Sequence, residues 1–440
     1  MSLSQLSAIE AAHQIRNGAI TSLELIDACL ETITAKDSEI EAWAHLDPDF
    51  AREQAEALDA YRAAGSPLGP LHGVPVGIKD IIDTQNLPTE NGTVLDEGRR
   101  PWNDSHVVSQ LRKAGAVIMG KTVTTELAVY TPGKTKNPHN PAHTPGGSSS
   151  GSAAAVAANM IPLSIGTQTN GSVIRPASFC GVVGFKPTRG LISRAGVLKQ
   201  SELLDHVGVF ARNVPDAALL ADALAGYDDA DPATRPAAAP DICGVSLTEP
   251  PVPPKLAFVK TPAWERADGD VEAAFAELTE ALGDTVEEVT LGQGFDEVLK
   301  QHAVILHADL ACNFERYRAD EDKLSDRLCA LMADGDTVRA VDYNRAVDHI
   351  TLLNAALDDV FNDVDAILTP AAPGEAPADL TQTGDPAFST LWTYLGTPAV
   401  TLPLLEGSNG LPIGVQLVSR RGDDARLMRT ARWLAQTLAT

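Results

Sequence analysis

The sequence predicts an α/β layered fold with a mostly parallel or mixed sheet, and three observations carry that expectation. An apolar run of strand length with β-branched residues occupies 74–82. Helix and strand signals alternate from there to about residue 166. A second alternation, strand, helix, strand, falls at 256–291.

Taken in order, helical signals dominate the first 65 residues. Thr21-Ser22-Leu23-Glu24 has the form of a capping box ahead of the periodic set Leu23, Leu25, Ile26, Cys29, Leu30 and Ile33. Residues 50–64 read as a surface helix ending near Gly65. After the strand at 74–82 come a helix at 106–114, a strand at 116–119, a small-residue helix at 152–159 and a short strand at 162–166. Residues 226–255, rich in Asp, Pro and Ala, read as a long connecting loop. The β-α-β pattern follows at 256–259, 270–282 and 286–291; the stretch 295–362 is mainly helical, and 365–370 and 398–403 are strand-like. With no internal repeat, one large domain over residues 1–440, its portion at about 225–362 more helical and variable, is the simplest organisation.

Composition narrows the function classes. The chain has 440 residues, 44% of them hydrophobic and 21% charged, which suits a globular chain with a large core. Its 34 Lys and Arg stand against 59 Asp and Glu, a formal charge of −25. That excess opposes nucleic acid and anionic membrane surfaces as general partners. No apolar stretch reaches the ~18 residues of a membrane span, and no basic region followed by an apolar core marks a secretory leader, so a cytoplasmic location is expected. The five cysteines (Cys29, Cys180, Cys243, Cys312 and Cys329) form no C-x-x-C pair and read as reduced, mostly buried thiols; the ten histidines form no ligand cluster. No metal and no cofactor is expected.

The chemistry concentrates in Gly146-Gly147-Ser148-Ser149-Ser150-Gly151-Ser152 and Gly166-Thr167-Gln168-Thr169-Asn170-Gly171-Ser172. Glycine permits close backbone approach, so successive N–H groups can converge on one developing oxyanion. Apolar, patterned segments flank these runs, against a flexible linker. No G-x-x-x-x-G-K-[ST] is present, against a phosphate loop. Ser149 satisfies G-x-S-x-G, but an elbow needs a strand just before it, and the preceding segment carries Pro138, Pro141 and Pro145. A serine activated by something other than histidine remains, with Lys79, at the end of an apolar run, as the candidate base; on spacing alone a surface lysine beside Asp80 at a strand end is the stronger reading.

Several ordered segments resemble the amidase signature family. They are Gly69-Pro70-Leu71-His72-Gly73-Val74-Pro75-Val76-Gly77-Ile78-Lys79-Asp80, the two Gly/Ser runs, Arg175-Pro176-Ala177 through Gly181, Gly184 and Lys186-Pro187-Thr188, and near the end Leu395-Gly396-Thr397-Pro398-Ala399 and Gly410-Leu411-Pro412-Ile413-Gly414-Val415-Gln416. The core of the signature lies at about 69–190; the resemblance is weakest between 225 and 360. It implies the amidase signature fold, a large mixed β-sheet flanked by helices, and hydrolysis of a C–N bond in a small amide, with urea, ester or urethane cleavage as relatives of that chemistry. It implies Ser172 as nucleophile, Ser148 as a bridging serine on a cis peptide bond, and Lys79 as the base that relays protons through Ser148. Backbone N–H groups of Thr169, Asn170, Gly171 and Ser172 would form the oxyanion hole, with Ser149 in support. Asn170 departs from the family's usual Gly, and is the residue next most tolerant of positive φ. Arg175 and Gln168 resemble the malonamidase-like and carboxybiuret-hydrolase-like branch, where an arginine so placed meets a substrate carboxylate; a structural arginine is the competing reading. A homodimer is the family expectation. The other class consistent with the signature is the amidase (glutaminase) component of a tRNA-dependent amidotransferase.

Overall fold

The computed structural model describes residues 2–438. Eleven strands build one sheet: β1 (Trp43–Leu46), β2 (Pro75–Lys79), β3 (Val117–Thr122), β4 (Leu163–Gln168), β5 (Val183–Lys186), β6 (His206–Ala211), β7 (Leu256–Val259), β8 (Val286–Val289), β9 (Ala366–Pro370), β10 (Ala399–Glu406) and β11 (Pro412–Val418). Their order across the sheet is β1-β3-β2-β4-β6-β5-β10-β11-β9-β7-β8. The sheet is mixed. β3, β2 and β4 run parallel as neighbours, and β9, β7 and β8 form a second parallel group. Antiparallel pairs through β6, β5, β10 and β11 join the two groups, and β1 closes one edge antiparallel to β3.

The alternation in the sequence thus marks the two parallel groups, while β1, β5, β6 and part of the centre went unread. β6 is buried at every position, so it shows no two-residue alternation. β5 has four residues, and a Cβ on its Gly184 would fall 2.5 Å from the Ala177 side chain, so close packing replaces any strand-forming side chain there. The stretch 226–255 also contains a short helix, Ile242–Ser246, whose first N–H groups are held by Asp222.

The helix Ser22–Ile40 starts as its sequence requires: Thr21 Oγ1 accepts from Glu24 N at 3.1 Å, and Glu24 Oε2 accepts from Thr21 N at 2.7 Å. Apolar packing divides into two main clusters. One gathers Val76, Ile78, Val156, Leu220 and Met428; the other gathers Leu306, Leu310, Leu328, Leu391 and Trp392. The second cluster is built where the helices Val298–Asn313, Asp326–Asp336, Ala340–Val360 and Ala387–Leu395 pack together. Among the cysteines only Cys29 and Cys180 are buried; Cys243 and Cys329 are half-buried and Cys312 is exposed, all of them unpaired.

Candidate active site

β2 and β4 are adjacent and parallel, and both end at the same edge of the sheet, where open α/β sheets place their ligands. Lys79 is the last residue of β2, and the loop 169–172 leaves the end of β4. Between them in the chain, Gly147-Ser148 is joined by a cis peptide bond and leads into the helix Ser150–Ala157. That helix lies tight against the sheet because Gly151 carries no Cβ; one there would collide with the Ala42 carbonyl and Val123 N.

These elements converge on Lys79. Its Nζ lies 2.7 Å from Ser148 Oγ and 2.8 Å from Thr167 Oγ1, with no solvent exposure. Burial holds its pKa well below the usual lysine range; Asp205 opposes this and Arg175 reinforces it. An uncharged amine beside a seryl hydroxyl can act as a base. Ser172 is half-buried, and its hydroxyl bonds to no described residue, Ser148 included.

The loop 169–172 is fixed from outside, leaving its backbone donors free. None of the N–H groups of Thr169, Asn170, Gly171 and Ser172 donates to a described residue. Thr169 Oγ1 donates to Asp205 at 2.6 Å, and His302 Nε2 lies 2.9 Å from the Thr169 carbonyl. Burial raises the Asp205 pKa to about 6 and lowers that of His302 to about 4, so His302 is neutral and donates through Nε2–H. Asn170 bonds through its side chain to Tyr130 Oη (2.9 Å) and Thr390 Oγ1 (2.6 Å). Its φ is not positive, nor is that of Gly171, so the loop needs no left-handed residue where the sequence suggested one. Gly171 is required for space instead: a Cβ would lie 2.9 Å from Arg175 Nη1 and 3.0 Å from Pro386.

Gln168, Arg175 and Ser149 sit in this frame as follows. Gln168 is fully buried, its Oε1 accepting from Val173 N (2.7 Å) and Ile174 N (3.0 Å) and its Nε2 donating to Thr393 (2.9 Å), so both of its polar atoms are engaged within the protein. Arg175 is also buried; its Nε donates to the Thr383 carbonyl and its Nη2 to the Gly147 carbonyl, both at 2.7 Å, and Nη1 is unpartnered. Among the described residues no carboxylate pairs with it; its bonds join the Thr383 and Gly147 carbonyls, and burial lowers its pKa to about 10. Ser149 Oγ donates to the Thr167 carbonyl at 3.1 Å, bracing the strand that carries the partner of Lys79.

A chamber of about 20 Å³ at Ser172 is lined by Val129, Tyr130, Thr169, Asn170, Leu306 and Leu310 among others. It adjoins a vestibule of about 260 Å³, with Tyr130, Asn170 and Leu306 common to both. A separate cavity of about 240 Å³ lies behind Thr169 and Gln200, bounded by Thr167 and Asp205. Among the described residues no His, Cys, Asp or Glu cluster is arranged to hold a metal ion.

A family model, Amidase, matches residues 24–428. The chain belongs to the amidase (amidase signature) family. This amidase is 34% identical over 462 residues to a glutamyl-tRNA(Gln) amidotransferase subunit of Chloroflexus aggregans, covering 96% of this chain and 94% of the relative. Among solved structures it resembles a protein of a vestigial complex that reveals the evolutionary origins of an s-triazine catabolic enzyme (TM-score 0.91, 28% identity, 98% of both chains). It also resembles 6-aminohexanoate cyclic dimer hydrolase (TM-score 0.88, 28% identity, 100% of this chain and 98% of that one). The amidase is therefore a C–N hydrolase of the α/β class, and among its described residues no helix is long and apolar enough to cross a membrane.

Asp205, His302 and Tyr130 act on the site without a sequence signal of their own. None of the three belongs to a motif, and only the folded chain brings Asp205 and His302 to Thr169 and Tyr130 to Asn170.

Proposed function

We propose that Ser172 is the nucleophile of this amidase and that Ser148 and Lys79 move its proton. Neutral Lys79 accepts the Ser148 proton as Ser148 takes that of Ser172, whose Oγ attacks the amide carbonyl. The N–H groups of residues 169–172 receive the oxyanion. Collapse breaks the C–N bond, the proton returns through Ser148 to the leaving nitrogen, and an acyl-Ser172 ester remains. Water, losing its proton through Ser148 to Lys79, then attacks the ester, and that proton returns through Ser148 to Ser172 Oγ as the acid leaves. The observation that carries this reading is a fully buried lysine within 2.8 Å of two hydroxyls and without a carboxylate partner. Ser172, lacking a partner, is free to turn toward Ser148 as the substrate arrives, since such bonds often tighten only in the complex. In this reading Arg175 anchors the Gly147 and Thr383 carbonyls, not a substrate carboxylate, and the same acyl-enzyme would form from an activated ester or carbamate.

The test is hydrolysis of a panel (malonamate, an aliphatic amide, an anilide and an aryl carbamate) by wild type, Ser172→Ala and Arg175→Ala, with fluorophosphonate labelling alongside. Loss of turnover and label in Ser172→Ala is expected. Full activity in that variant rejects the mechanism, and a malonamate preference abolished only by Arg175→Ala restores the carboxylate-clamp role.

A second reading is favoured by the relatives named as glutamyl-tRNA(Gln) amidotransferase subunits, which match nearly the full chain. Here the same acyl-enzyme forms from glutamine and the chain works within a complex. Glutaminase activity that appears only when partner proteins are added would establish it.

A further inference from the structure

The vestibule before Ser172 contains four basic side chains, Arg266, His302, His307 and Arg327, and three are already accounted for. Arg266 is 2.8 Å from Asp385. His302 is neutral and donates to Thr169, and burial lowers the pKa of His307. Arg327 makes no ion pair or hydrogen bond with any described residue. Its guanidinium lies over the Tyr130 ring, 4.5 Å from the centroid.

That stack does more than hold a side chain. Tyr130 Oη accepts from Asn170 Nδ2, so Arg327 is linked through one ring to the loop that precedes Ser172. Its backbone is fixed as well: Ser325, which caps the helix Asp326–Asp336, donates to Glu126 and accepts from Thr131. A guanidinium lying on an aromatic face keeps its N–H edge open, the geometry that meets a carboxylate with two parallel bonds. Its charge also reaches inward, for Arg327 contributes to lowering the pKa of Arg175 beside Gly171.

We propose that Arg327 is a specificity-determining residue that receives an anionic group of the substrate, so that this amidase prefers small amides bearing a carboxylate over uncharged ones of the same shape. The inference rests on Ser172 as the reacting centre and deepens that reading by naming the substrate class. The carboxylate lies in the vestibule while the scissile carbonyl lies in the chamber. In a protein of charge −25 an unpaired cation at this mouth also offsets repulsion of an anionic substrate.

Two pairs of compounds test it: succinamate against 4-methylpentanamide, which places the charge on the acyl side, and 4-acetamidobenzoate against 4-methylacetanilide, which places it on the amine side. In wild type the carboxylate member of at least one pair is expected to have kcat/KM higher by about tenfold or more, the scale of a hydrogen bond to a charged group. Arg327→Gln should remove that advantage through KM, lowering kcat/KM of the carboxylate member about tenfold more than that of the uncharged member; Arg327→Lys should retain part of it. Protection of Ser172 from a fluorophosphonate by glutarate gives a readout independent of turnover, and should need about tenfold more glutarate in Arg327→Gln. No wild-type preference, a preference unchanged by Arg327→Gln, equal losses for both members of a pair, or equal protection in wild type and variant would each overturn the proposal. Turnover of the uncharged members by Ser172→Ala would instead sink the underlying mechanism while leaving the charge preference measurable.

Discussion

Two fully buried lysines stand on neighbouring strands, Lys79 at the end of β2 and Lys121 on β3, and their surroundings differ in kind. Lys79 faces two hydroxyls. Lys121 faces Thr89 Oγ1 at 2.6 Å, the Ile82 carbonyl at 2.9 Å and the Asp80 carboxylate at 3.3 Å. Burial lowers both pKa values; Asp80 opposes this for Lys121, which stays at about 8, and Lys79 lies well below the usual lysine range. Burial alone therefore does not make a base. A carboxylate favours the protonated form of one amine; in the proposed mechanism the hydroxyls leave the other free to take a proton.

The comparison is broken most directly by substituting each lysine with methionine. Lys79→Met should lower kcat/KM by about 10²–10⁴-fold, the range of general base catalysis, with the thermal transition little lowered. Lys121→Met should leave catalysis within about tenfold yet cost about 3–5 kcal/mol in denaturant unfolding, because Asp80 loses its partner. Comparable loss of kcat/KM in both would mean that the two environments are not functionally distinct.

Next in size is the coupling of Asp80 and Lys121. Asp80→Asn/Lys121→Met should be less destabilised than the sum of the single variants by about 1–3 kcal/mol in a double-mutant cycle. Additive losses would show that Asp80 is not what holds Lys121 charged.

Smaller effects are expected in pH dependence. For Lys121 the folded pKa, about 8, lies below that of the unfolded chain, so the unfolded state binds more protons between the two values. Stability from this group should rise with pH from about 8 to about 10.5 and be flat below, a rise that Lys121→Met abolishes. Catalysis should fall on the acidic side as Lys79 gains its proton. Asp205 favours the charged lysine, so Asp205→Asn should move that limb to lower pH, whereas Arg175→Met should move it higher. A limb that stays in place in both variants would show that Lys79 does not set it.

How much of this was legible depends on the kind of signal. β2, β3 and β4 could be read because short apolar runs sit between helical periods, and the β7-helix-β8 unit for the same reason. β6 could not, since a strand buried on both faces loses alternation, and β1 lies among helical signals. At the site, Lys79, Ser148 and Ser172 were singled out by resemblance; spacing alone favoured a surface lysine over a base at Lys79. The contacts of Gln168 and Arg175 were not legible because they include groups, Thr393 Oγ1 and the Thr383 carbonyl, that the fold brings from more than 200 residues away. Arg327 and Tyr130 meet only through the packing of a helix from the variable portion against the signature half.

Gln168 has a consequence for the timing of order. It grips the N–H groups of Val173 and Ile174 on one side and Thr393 on the other, while Thr393 also donates to the Asn170 carbonyl. The loop between them has therefore given up its conformational freedom before a substrate enters, and the entropy of aligning its donors belongs to folding, not to each turnover. Rigidity and rate are then two expressions of the same hydrogen bonds: a change that loosens Gln168 would soften the fold and slow the chemistry together.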